Sequence, residues 1–217
     1  MRSAIDTQSF EIPVEHGTIG ANLHVPPWSA SLVIFAHGSG SSRFSSRNRA
    51  VAEHLNTRRF ATLLVDLLTR AEESVDMYTA EHRFDIELLA RRVVAATDWV
   101  RNLEALQQFS IGYFGASTGA AAALIAAGNY PAIVRAVVSR GGRPDLAENA
   151  LAVVQAPTLL IVGGNDEPVI EMNRAAMRQI YATVTLEIVP GATHLFEEPG
   201  TLERVMQLAT SWFQEHL

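Results

Sequence analysis

The sequence has no cysteine among its 217 residues. This excludes a thiolate nucleophile, a disulfide framework and any metal site built on cysteine. Charge is scarce as well, at 18% Asp, Glu, Lys and Arg, against about a quarter in an ordinary globular domain. With 48% hydrophobic residues, that argues against disorder and leaves material for a large core. Basic residues are outnumbered 17 to 23, for a formal net charge of −6. A negative surface suits phosphate backbones poorly, so nucleic acid is not an expected partner. Long hydrophobic runs are missing too. The small-apolar stretch Ala120–Ala127 falls far short of the ~20 residues that span a bilayer, so no membrane partner is expected. Asp6, Gln8 and Glu11 interrupt any apolar core of a secretory leader at the N-terminus. The expectation is a cytoplasmic protein with one domain over residues 1–217.

What the chain does contain is alternation. Leu32–Ala36, Ala61–Val65, Ser110–Phe114, Val134–Val138, Pro157–Val162 and Thr185–Val189 are short apolar runs, each closed by Gly or a polar residue. They read as buried parallel strands. Between them Arg47–Asn56, Phe84–Leu106, Thr118–Ala127, Pro168–Ile180 and Thr201–Phe213 read as helices. Phe10–His16 and Ile19–Val25 flank Gly17-Thr18 and predict an antiparallel hairpin at the sheet edge. Strands alternating with helices predict an α/β fold, a doubly wound, mostly parallel sheet of about eight strands with helices on both faces. Gly38–Arg49 and Leu68–Arg83 read as polar loops after strands, where ligands sit in open α/β sheets. The interval after Val138 is too short for a cap domain.

Gly115-Ala116-Ser117-Thr118-Gly119 is a G-x-S-x-G sequence that follows a strand and opens a helix. That context is what a nucleophile elbow requires: a sharp turn that lifts the serine hydroxyl above the sheet. A serine at neutral pH needs a general base, and the base needs an orienting acid. In this architecture the order along the chain is Ser, acid, His. Asp166 follows the LIVGG strand and His194 follows LEIVPG, so Ser117, Asp166 and His194 would converge on one sheet edge. Asp145 is the main rival for the acid and Glu167 a lesser one. His16, His24, His54, His82 and His216 lie in the hairpin, mid-helix, in a polar loop and at the terminus, and read as surface or structural residues. The backbone N–H groups of Ser39 and Thr118 are the expected oxyanion hole. His37 reads as a loop-fixing residue.

Gly38-x-Gly40 could open a dinucleotide fingerprint, but position 43 is Arg where the third glycine belongs. No G-x-x-x-x-G-K-[ST] and no H-E-x-x-H occurs. No cofactor and no metal are therefore expected. Arg43, Arg47, Arg140 and Arg143 lie on loops near the expected site, and arginine forks match carboxylates and phosphates. The substrate-binding candidates are Arg43, Arg140 and Arg143. The competing reading gives them loop-anchoring ion pairs with Asp66, Asp145 or Glu198.

HGSG after the third strand, GASTG, GGNDEPV and PGATHLFEEPG together resemble the α/β-hydrolase fold. They are most similar to the small, lidless dienelactone-hydrolase-like group, from about Phe10 to the end of the chain. The resemblance implies hydrolysis of acyl esters without a cofactor. It departs at the nucleophile: dienelactone hydrolases carry cysteine where this chain has Ser117, so dienelactone itself is not the expected substrate. The expected partner is a small ester, anionic if the arginines contact it. A thioesterase or acyl transferase would use the same residues, and a catalytically silent binding module is the rival of a different kind. Oligomeric state is not legible.

Overall fold

A computed structural model describes residues 7–217; Met1–Asp6, which carry part of the leader argument, lie outside the described residues. Eight strands form one sheet: β1 (Gln8–Val14), β2 (Gly17–His24), β3 (Ser31–Ala36), β4 (Ala61–Val65), β5 (Ser110–Ala116), β6 (Val134–Arg140), β7 (Thr158–Gly163) and β8 (Val184–Val189). Their spatial order is β1-β2-β4-β3-β5-β6-β7-β8. β1 and β2 pair antiparallel, as does β2 with β4; all other neighbours are parallel. The carboxyl ends of β3 to β8 therefore share one edge. Six helices accompany the sheet: α1 (Ser46–Thr57), α2 (Arg70–Thr79), α3 (Ile86–Arg101), α4 (Thr118–Asn129), α5 (Glu167–Met177) and α6 (Thr201–His216).

The period of two along the strands builds two cores. Leu32, Ile34 and Ala36 of β3 face Leu89 and Val93 of α3 and the alanines of α4. Val33 and Phe35 of the same strand face the opposite way, against Val51 and Leu55 of α1 and Val205 and Phe213 of α6. Residues buried on both faces explain why β3, β4 and β7 read as unbroken apolar runs. β8 departs from that expectation: as the edge strand it is only half-buried along most of its length.

Three expectations need correction. Leu68–Arg83 is not a polar loop, because it contains α2. That helix buries only Asp76 of its ten residues, so no apolar period announces it. Polar contacts hold it instead. Thr69 and Glu72 form a capping box. Arg92 donates to Glu72 at 2.6 Å, and Arg83 donates through Nε to Asp76 at 2.6 Å. The Phe84–Leu106 helix is shorter than expected. Asp85 caps it by accepting from Leu88 N–H, Phe84 is exposed outside it, and a separate 3-10 turn covers Glu104–Leu106. The hairpin turns at Glu15-His16 rather than at Gly17-Thr18, with His16 at φ 65°. No helix among the described residues is long and apolar enough to cross a membrane.

Candidate active site

The elbow is built by close approach. β5 ends at Ala116, and Ser117 adopts φ 50°, ψ −123° before α4 begins at Thr118. A non-glycine residue at positive φ costs about 1–3 kcal/mol, and here it turns the serine side chain away from the sheet. Two glycines make the turn possible. A Cβ on Gly115 would lie 2.4 Å from the Ala120 Cα, and one on Gly119 would lie 2.3 Å from the carbonyl oxygens of Ala36 and His37. Ala120–Ala127 is wholly buried, so small side chains alone let α4 lie this close to β3. Both glycine contacts are with backbone, which cannot swing aside. Gly119→Ala is thus expected to cost about 3 kcal/mol, a fall in Tm of about 6–12 °C, measurable by thermal unfolding.

The three triad candidates come from loops after β5, β7 and β8. Asp166 sits at the N-terminal cap position of α5, yet its side chain makes no cap bond. Its Oδ2 lies instead 2.7 Å from His194 Nδ1. An ionised carboxylate only accepts, so the proton belongs on Nδ1, and Nε2 carries the lone pair a general base needs. Ser117 and His194 line one cavity of about 250 Å³. The histidine loop is fastened by Glu198, which accepts from Thr193 N–H at 3.1 Å and from the Thr193 hydroxyl at 2.6 Å. The rival acid is occupied elsewhere: Asp145 accepts from Arg143 Nε at 2.9 Å and Nη2 at 2.7 Å.

The oxyanion candidates meet face to face. Ser39 N–H donates to the Thr118 hydroxyl at 2.9 Å. That bond ties the loop after β3 to the first residue of α4. Gly38 permits the approach, since a Cβ there would lie 3.0 Å from that of Ser117. His37, buried beneath, fixes the same loop. Its Nδ1–H donates to the Gly38 carbonyl at 2.8 Å, and its Nε2 accepts from Leu67 N–H at 3.2 Å. The bond that Nε2 accepts from Leu67 requires the neutral ring. Burial holds the His37 pKa below 6.5 against the opposing pull of the Gly38 carbonyl, Asp66 and Glu73. A histidine with a depressed folded pKa contributes stability in full above its unfolded pKa, and that contribution is lost as pH falls below about 6.5. The protein is expected to lose Tm between pH 7.5 and 5, and His37→Gln to lose less over the same range.

The arginines separate into two kinds. Arg43 pairs with Asp66, and Arg143 grips Asp145, so both substrate candidates become loop anchors. Arg140 does not. It lies at the end of β6 beside the elbow, where its carbonyl accepts from Ser117 N–H at 3.3 Å. It lines the cavity of Ser117 and His194 together with Arg47 and Asn48. Arg47 donates one nitrogen to Glu197 at 3.0 Å. Asn48 is a site residue that inspection of the sequence missed. Its signal was available: it begins the buried stripe Asn48, Val51, Ala52, Leu55 of α1, and a polar residue heading an apolar face needs a partner.

A second cavity, of about 290 Å³, lies across the Gly38–Ser41 loop. Leu67, Leu68, Met77 and Leu89 supply its apolar wall, and Gly38, Ser39 and Ser41 also line the first cavity. No cluster of three or more His, Asp or Glu suited to a metal occurs among the described residues.

Comparisons with known proteins agree with this architecture. Residues 19–217 match the Dienelactone hydrolase family. A dienelactone hydrolase from Anabaena variabilis is 54% identical, with a TM-score of 0.96 and 98% of each chain covered. An α/β serine hydrolase without lid from Xanthomonas campestris shares the fold at 17% identity, with a TM-score of 0.75 over 98% of this chain and 96% of the other. A Mycobacterium tuberculosis protein that carries the provisional name phosphoribosyl transferase is 55% identical over 199 residues. Those residues are 92% of this chain but 44% of that relative, so the chain spans less than half its length. With its eight-stranded sheet and its match over nearly the whole chain, this chain has the α/β-hydrolase fold and belongs to the dienelactone hydrolase family.

Proposed function

We propose that the protein hydrolyses carboxylic esters through Ser117, His194 and Asp166. The observation that carries this reading is the 2.7 Å contact between His194 Nδ1 and Asp166 Oδ2, in a cavity that Ser117 also lines. His194 Nε2 takes the Ser117 proton as Oγ attacks the acyl carbon. The carbonyl electrons move onto oxygen, and the amides of Thr118 and Ser39 receive that charge. As the intermediate collapses, the bond to the alcohol breaks and His194 returns the proton to the leaving oxygen. Water, deprotonated by His194, then attacks the acyl-serine and releases the acid. Asp166 holds the imidazole in place and stabilises its charged form throughout.

The Ser39–Thr118 contact adds one step. Ser39 N–H is engaged by the Thr118 hydroxyl, so the hydroxyl must yield when the oxyanion arrives. The exchange is favourable, because a charged acceptor makes a bond roughly twice as strong as a neutral one. Two cavities that share Gly38, Ser39 and Ser41 would give the groups on either side of the scissile bond separate places. Small or exposed acyl groups fit a site with no cap above it. A strong preference for long-chain esters in a p-nitrophenyl ester series would overturn that.

Thioester hydrolysis and acyl transfer share every step up to the acyl-serine, and competition between water and added alcohol acceptors separates them. The transferase name of the mycobacterial relative belongs to a chain more than twice as long as the shared stretch and lends this chain no assignment of its own.

A further inference from the structure

The catalytic cavity contains a cation that the protein does not neutralise. Arg140 is 7% exposed. Its one side-chain hydrogen bond is from Nη2 to Asn48 Oδ1 at 3.3 Å, a neutral acceptor. Nε and Nη1 are buried without a partner, and no carboxylate among the described residues forms an ion pair with it. The Phe196 ring lies 6.0 Å from the guanidinium carbon, at the limit where a cation gains from a ring face. Burial, and after it the like charge of Arg47, push the Arg140 pKa down to about 10, which still leaves it cationic at neutral pH. Arg47 also keeps a buried Nε without a partner.

Burying an unpaired charge strongly opposes folding. Arg43, Arg47, Arg83, Arg92 and Arg143, the other arginines at least half withdrawn from solvent, each face a carboxylate. Arg140 is the exception, and it lines the same wall as Ser117 and His194. Its unused donors match what a planar or tetrahedral oxyanion accepts.

We propose that Arg140, flanked by Arg47 and steadied by Asn48, is a subsite for an oxyanion group, carboxylate or phosphate, carried by the ester that Ser117 attacks. This rests on the hydrolase reading for the identity of the ligand but not for the existence of the site. The substrate then has an anionic group on the α1 side of the nucleophile, with its remaining part directed to the cavity across Gly38–Ser41, where Leu67, Leu68, Met77 and Leu89 form one wall.

Binding is tested without chemistry, in Ser117→Ala protein. Thermal melts with inorganic phosphate, with succinate and with sodium chloride at matched ionic strength should show a saturable rise in Tm with phosphate or succinate and none with chloride. The anion with the lower Kd names the group. Adding Arg140→Gln should abolish the saturable rise and lift the ligand-free Tm by about 2–4 °C, whereas Arg140→Lys should bind more weakly yet measurably. A cation serving only the architecture would give the opposite sign in the ligand-free melt. No saturable rise with either anion, or an equal rise after Arg140→Gln, overturns the subsite.

The link to catalysis is tested with Ser117 intact, comparing p-nitrophenyl hemisuccinate with neutral p-nitrophenyl butyrate. Arg140→Gln should raise KM for the anionic ester about 10- to 100-fold more than for the neutral one. An equal change in both overturns the assignment to the ester. If wild type turns over neither ester but retains Arg140-dependent anion binding, the hydrolase reading fails and the subsite stands.

Discussion

Ser117→Ala is expected to lower kcat on p-nitrophenyl acetate by about 10⁴- to 10⁶-fold, the loss that follows when a triad serine is removed. Wild type treated with a fluorophosphonate probe should gain the mass of one adduct, and the variant none. The effect is this large because the elbow offers no substitute. Ser117 is held at φ 50° by Gly115 and Gly119, and no thiol exists anywhere in the chain to take over. Alanine keeps the same backbone and lacks only Oγ, so the variant should fold. A folded wild type that takes no adduct and turns over no ester would mean that the three side chains are not assembled for chemistry. The binding-module reading would then replace the enzyme.

Asp166→Asn should lower kcat by about 10⁴-fold while changing KM little. An asparagine in this place can donate its own N–H to His194 Nδ1, which moves the imidazole proton to Nε2. The lone pair that should receive the Ser117 proton is then gone. Asp145→Asn is the control. Its carboxylate is committed to Arg143, so kcat should remain within about tenfold of wild type. Steady-state kinetics of the two variants side by side decide which acid orients the base. The reverse result, with Asp145 essential and Asp166 dispensable, would move the acid to the loop after β6.

The strands and the triad candidates were legible for the same reason. A strand buried on both faces must be apolar throughout, and the runs of β3, β5 and β7 stop at the loops that carry the candidates Ser39, Ser117 and Asp166. Leu159–Val162 and Asp166 illustrate it: the end of the run marks the sheet edge, and the acid follows within a few residues. α2 was illegible because what fixes it is ionic. Glu72–Arg92 and Asp76–Arg83 depend on how the chain folds back, and a one-dimensional pattern contains no trace of that. The hairpin turn was misplaced because a glycine attracts the assignment, whereas His16 takes the left-handed conformation itself. The arginines were ambiguous on the same ground as α2. Arg143 finds Asp145 two residues away, Arg43 finds an acid 23 residues away, and Arg140 finds none.

Ser117 occupies a backbone conformation that glycine alone adopts freely. On the proposed mechanism, in a duplicated copy of the gene relieved of its duty, exchange of Ser117 for glycine would release strain while deleting the nucleophile. Loss of chemistry is then downhill in folding free energy, so drift and stability push such a copy the same way. Only continued selection for turnover keeps a serine at this corner, and the residue at position 117 becomes a historical record of whether a descendant still works for its living.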